Sequence, residues 1–173
     1  TLAANQDHAN SQIYLGNIYI NSEFKRQDIN KGINYFTLAA DKNIKEAHFE
    51  LFILYYQNKY IPRNINKAMN YLHQAANLNN VEAQYYLGYY YNLGKNVPFD
   101  INKAIQYYTC AASNKYIEAQ FRLGYIFYKG EFVVRNIENA ISYLKLAADQ
   151  NHIDAQSLLG QIYYENKYIK QDI

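Results

Sequence analysis

A single step of 36 residues repeats along the whole chain and restricts its fold more than any other feature. The pair Ala-Ala recurs at Ala3-Ala4, Ala39-Ala40, Ala75-Ala76, Ala111-Ala112 and Ala147-Ala148. Leu15, Leu51, Leu87, Leu123 and Leu159 keep the same register, as do Tyr19, Tyr55, Tyr91, Phe127 and Tyr163. Gly16, Gly88, Gly124 and Gly160 follow it too, with Phe52 as the exception. No insertion or deletion breaks the step. Periods of this length belong to arrays of small supersecondary units.

Each unit reads as two helices. In the copy running from about Glu82 to Leu93, Ala83, Leu87 and Tyr91 fall at i, i+4 and i+8, with Tyr90 beside them. That spacing makes one apolar helical face. Glu46, Glu82, Glu118 and Asp154 open the first helix, where an acid favours the positive end of the helix dipole. Asn58, Gly94, Gly130 and Asn166 stand just past it and suit a left-handed cap. The second helix begins after Asp28, Asn64, Asp100, Asn136 or Asp172, all good N-cap residues, and runs to the paired alanines. Gly32, Ala68, Ala104 and Ala140 let neighbouring helices approach closely. Neither helix of one unit can bury its apolar face alone, whereas stacked units can. The expected fold is therefore all-α, a right-handed superhelical α-solenoid of antiparallel helix pairs.

The pattern Glu82-Ala83-Gln84-x-x-Leu87-Gly88-x-x-Tyr91, a loop, Asp100-x-x-Lys103-Ala104-x-x-Tyr107-Tyr108, then Ala111-Ala112 closely resembles the Sel1-like repeat. That family is a relative of the tetratricopeptide repeat, whose period is about 34. The resemblance covers the chain as a partial repeat 1–8, repeats of about 9–44, 45–80, 81–116 and 117–152, and a partial repeat 153–173. Two departures stand out. Asn96-Val97, Tyr60-Ile61 and Phe132-Val133 replace the family's usual Gly-Val in the loop, and Phe52 replaces the tightly packed Gly, so the second repeat should be splayed or repacked. The array starts in what reads as the tail of a second helix and stops at Ile173, without a polar capping repeat at either end. A solenoid needs such caps, so a longer parent protein is expected.

Taking about 100° per residue and setting Ala83 at zero, the side opposite the buried one holds the residues two, six and nine places after that alanine. They form three rows: Ile13, Phe49, Tyr85, Phe121 and Ser157; Asn17, Ile53, Tyr89, Tyr125 and Gln161; and Ile20, Tyr56, Asn92, Tyr128 and Tyr164. A face that meets only water should be polar. This one is largely aromatic and changes from repeat to repeat, and the equivalent positions line the concave groove of tetratricopeptide arrays. Two readings stand. The rows pack on the next repeat or on the chain's own second helices, or they form a Tyr-rich groove for a peptide, a helix or a protein surface. Phe49, Ile53, Tyr56, Tyr85, Tyr89, Phe121, Tyr125, Tyr128 and Tyr164 are the candidate partner-binding residues, with Tyr85, Tyr89, Phe121 and Tyr125 as the centre. Tyrosine, at 21 residues the signature of the composition, supplies contact area and a hydroxyl at low rotamer cost, which is why it is enriched in interface hot spots.

Other classes fare poorly. No zinc-protease, serine-hydrolase or phosphate-loop motif occurs, and no cofactor or metal is implied. His8 and His152 share one repeat position and read as inter-helix loop residues, and Cys110 reads as a packed thiol rather than a nucleophile. The net charge of +2 is spread without a basic block, and Lys31, Lys67 and Lys103 recur at second-helix starts, where the family uses them structurally. Binding of RNA by a helical repeat is thus the alternative, a structural spacer or a homo-oligomer through uncapped ends another. One cysteine and no N-glycosylation sequon favour the cytoplasm, and no apolar run reaches the ~18 residues of a membrane span. The resemblance implies a non-catalytic adaptor or scaffold whose partner is another protein or peptide.

Overall fold

The computed structural model of the protein describes residues 2–21 and 27–169. The described residues form helices and no strand. The first helices of successive repeats are α1 (Leu2–Asn21), α3 (Lys45–Gln57), α5 (Val81–Leu93), α7 (Ile117–Lys129) and α9 (Ile153–Ile169). The second helices are α2 (Ile29–Ala40), α4 (Ile65–Asn77), α6 (Ile101–Ser113) and α8 (Ile137–Ala148). The chain divides into two compact units, Thr1–Ala83 and Gln84–Ile173.

The caps follow the residue types. Asp28, Asn64, Asp100 and Asn136 each accept a hydrogen bond from the backbone N–H three residues on, at 2.9–3.0 Å. Asn58, Gly94 and Gly130 have φ of 54°, 62° and 65°, the left-handed conformation that ends α3, α5 and α7. A second left-handed position follows each second helix, at Asn43, Asn79, Lys115 and Asn151. Two expectations fail at the outer helices. α1 runs unbroken through His8, so residues 2–8 are not the tail of a separate second helix and His8 is not in a loop. α9 likewise runs through Asn166, which therefore ends nothing. Asp172 lies outside the described residues.

Inside each repeat the two helices meet through small residues. Ala47, Ala83, Ala119 and Ala155 on the first helices, and Ala68, Ala104 and Ala140 on the second, are wholly buried. Leu51, Leu87 and Leu123 are too, each contributing about 1.5–3 kcal/mol by burial. A methyl group on Gly124 would come within 2.6 Å of Leu144, and one on Gly88 within 2.7 Å of Tyr108. In the second repeat Phe52 takes the glycine's place and is fully buried, its ring 5.6 Å from Phe49 and 5.4 Å from Tyr56. Leu72 stands at the position that Phe36, Tyr108 and Leu144 hold in the other repeats.

Near the end of each first helix an aromatic ring stacks on one from the second helix. Tyr19 on Tyr35, Tyr55 on Tyr71, Tyr91 on Tyr107 and Phe127 on Tyr143 lie 5.7–6.0 Å apart and within 12° of parallel. Lys31, Lys67 and Lys103 place their ammonium groups 5.5, 5.3 and 5.1 Å from the Tyr19, Tyr55 and Tyr91 rings. These lysines are structural.

Candidate functional site

Within the second unit, α5, α7 and α9 present the aromatic rows. Tyr85 is half-buried, with Tyr116 at 5.0 Å, Tyr86 at 5.5 Å and Tyr108 at 5.8 Å. Burial pushes its hydroxyl above the ordinary tyrosine range; Glu118 adds to the shift and Arg122 opposes it. Phe121 stacks on His152 at 4.5 Å and meets Tyr125 at 6.2 Å. Row one thus serves two ends. Tyr85 and Phe121 close on the residues just before the next first helix, Tyr116 and His152, and Phe121 also packs against the core of α8 and α9; both remain partly exposed.

The second row is more open. Tyr125 is 41% exposed, Tyr89 is half-buried against Tyr90 at 5.8 Å, and Lys129 sits 5.6 Å over the Tyr125 ring. In the third row Tyr164 is 64% exposed. Tyr128 is held from within the unit: its hydroxyl donates to Glu165 at 3.1 Å and accepts from the Gln161 amide at 3.1 Å, and Arg135 lies 5.3 Å over the ring. In the first unit Phe49, Ile53 and Tyr56 are half-buried on α3, with Arg63 4.5 Å over Tyr56. Ile20, placed in the third row by the helical angle, is instead buried in the core against Gly32.

Charges on the second unit's face are largely satisfied internally. Arg122 pairs with Glu118 at 3.0 Å, and His152 meets the other carboxylate oxygen at 3.1 Å. His152 Nδ1 accepts the Ala155 N–H, so Nε2 carries the proton that bonds Glu118. The residue is an N-cap and a tie between repeats. Sequence reasoning placed it in a loop and missed both roles; its position immediately before a first helix was the available signal. Cys110 is exposed, not packed, because its position faces outward, as Leu38 and Leu146 also do. Among the described residues no group of three or more His, Cys, Asp or Glu could hold a metal ion. No helix of those residues is long and apolar enough to cross a membrane.

The family model for the Sel1 repeat matches residues 9–44, 45–80, 81–116, 117–152 and 153–173. The chain belongs to the Sel1 repeat family. A Sel1 repeat protein from Oxalobacter formigenes is 29% identical, with a TM-score of 0.78 over 93% of this chain and 66% of that one. Cysteine-rich protein B of Helicobacter pylori is 31% identical, with a TM-score of 0.58 over 79% and 98%. A protective antigen of uropathogenic Escherichia coli that displays an SLR fold is 24% identical, with a TM-score of 0.84 over 95% and 35%, and that likeness concerns the fold. The chain thus spans about a third of the Escherichia coli protein and just under two thirds of the Oxalobacter one. No curated protein matches significantly.

Sel1 repeat proteins are protein-interaction scaffolds and are generally non-catalytic. The Glu-Ala-Gln segment of the repeat has a physical role here. Gln120 donates to the Ala112 carbonyl at 3.2 Å and Gln156 to the Ala148 carbonyl at 3.1 Å, so α7 and α9 each add a side-chain donor to a carbonyl at the end of the preceding second helix that already accepts the Lys115 or Asn151 N–H.

Proposed function

We propose that the chain is a non-catalytic scaffold whose aromatic first-helix face binds a partner protein or peptide, with Tyr85, Tyr89, Phe121 and Tyr125 of the second unit at the centre. The observation that carries this reading is the accessibility of large rings on a helical face whose charges are mostly paired: Tyr125 is 41% exposed beside the half-buried Tyr89 and Phe121. Rigid tyrosines lose little rotamer freedom on binding, and their hydroxyls find partners at a wet interface. Tyr128 and Tyr164 extend the surface along α7 and α9, and Phe49, Ile53 and Tyr56 offer a separate aromatic face on the first unit.

RNA binding is less well supported. A phosphate track needs free cations in line, yet Lys31 and Lys103 are tied to Asp28 and Asp100 as well as to tyrosine rings, and Arg122 is tied to Glu118. The test is affinity capture from host-cell lysate with the wild-type chain beside a Tyr89→Ala/Tyr125→Ala variant of matched melting temperature. A protein retained by the first and lost by the second supports the face. Equal retention moves binding elsewhere.

A further inference from the structure

At the loop end of the second unit a run of apolar side chains remains in water. Phe132 is 63% and Val134 90% exposed, and Leu93 and Phe99 are about half exposed. The Phe99 and Phe132 rings lie 4.9 Å apart, which joins the loop after α5 to the loop after α7 in one patch. A pocket of about 220 Å³ opens there among Leu93, Ile101, Tyr125, Ile126 and Phe132, with Asn92, Lys129 and Glu131 also in its lining. It is smaller than the ~300 Å³ at which drug-sized ligands begin to fit, and suits a single side chain. Exposed apolar patches rimmed by polar groups mark interaction surfaces.

The rim selects the occupant. Lys129 and Glu131 are both exposed, and neither makes an ion pair among the described residues, although the Lys129 ammonium lies 5.6 Å over the Tyr125 ring. One charge of each sign gives no preference for a strongly acidic or basic surface, an anionic membrane included. A second copy turned by a two-fold axis satisfies both at once, because in such a contact residue i meets j and j meets i. We propose that two copies of this chain associate through this face, each Phe132 seated in the other copy's pocket and each Lys129 facing the other copy's Glu131. The pocket shares Tyr125 and Asn92 with the aromatic rows, so a partner bound at that ring would compete with this association, whereas Lys129, Glu131 and Phe132, which test it, lie outside the three rows.

Sedimentation of the wild-type chain from low micromolar to about 1 mM, the weak limit of a useful interaction, reads the association directly. Lys129→Glu and Glu131→Lys each place like charges across the contact and should weaken it at least ten-fold; Glu131→Lys should leave the melting temperature unchanged, and Lys129→Glu should lower it slightly by losing the Tyr125 contact and the favourable charge at the end of α7. An equimolar mixture of the two variants restores opposite charges at both positions and should form the heterodimer. A wild-type chain that stays monomeric throughout overturns the proposal, as do single variants that associate like wild type or a mixture that fails to recover.

Discussion

Gln120 donates its side-chain amide to the Ala112 carbonyl at 3.2 Å and accepts a hydrogen bond from Gln150 at 2.8 Å while itself buried. The contact ties the start of α7 to the end of α6, so it couples one repeat to the next rather than closing either alone. Gln120→Leu removes both of these side-chain hydrogen bonds while the Ala112 carbonyl keeps the Lys115 N–H, a loss of about 1 kcal/mol per bond. Thermal denaturation should show the fall, and Gln156→Leu, at an exposed position, should show a smaller one.

Glycine at the close approach between helices gives a prediction of opposite signs. Gly124→Ala sets a methyl 2.6 Å from Leu144 and 3.2 Å from the Ala140 carbonyl, and should cost about 1–3 kcal/mol. Gly160→Ala meets nothing within 4 Å among the described residues and should stabilise by up to about 1 kcal/mol through helix propensity. Melting temperatures of the two variants decide it.

Tyr108 is fully buried and its hydroxyl has no hydrogen-bond partner. Burial accordingly pushes that hydroxyl far above the ordinary tyrosine range. The other repeats carry Phe36, Leu72 and Leu144 at this position. Tyr108→Phe removes a desolvated polar group without changing the ring, so denaturant unfolding should show a gain of about 1 kcal/mol.

His48 holds the place of Gln12, Gln84 and Gln120, and is buried. Burial is the main cause that depresses its pKa, against a hydrogen bond to Ala40 and the charge of Asp41. The unfolded chain therefore takes up this proton more readily than the folded one. The stability held by the neutral ring is full above about pH 6.5 and is lost as pH falls below that value toward the depressed folded pKa. His48→Gln should flatten the dependence in that window, read as melting temperature against pH.

The repeat made much of this fold legible. The N-caps at Asp28, Asn64, Asp100 and Asn136 and the left-handed residues Asn58, Gly94 and Gly130 depend on local chemistry, and the chain displays that chemistry at each copy. Asn166 has the same residue type, but no second helix packs on α9 among the described residues, and the helix continues. A cap residue permits a turn; tertiary packing decides whether it forms. The angular reading of the face erred for the same reason. Ile20 lies on the outer row by angle, yet it is buried because Gly32 leaves room for it. Tyr90 is more deeply buried than Tyr91, which instead stacks on Tyr107. The tie that His152 makes depends on Glu118, 34 residues away, a distance no local pattern displays.

The most direct test of the scaffold account is hydroxyl-radical footprinting of the chain alone and saturated with the captured partner. If the aromatic face binds, labelling of Tyr89, Phe121 and Tyr125 falls together on complex formation, while Leu38 and Leu146, exposed on the second helices, keep theirs. Protection confined to the second helices, with the three rings labelled as before, would contradict it.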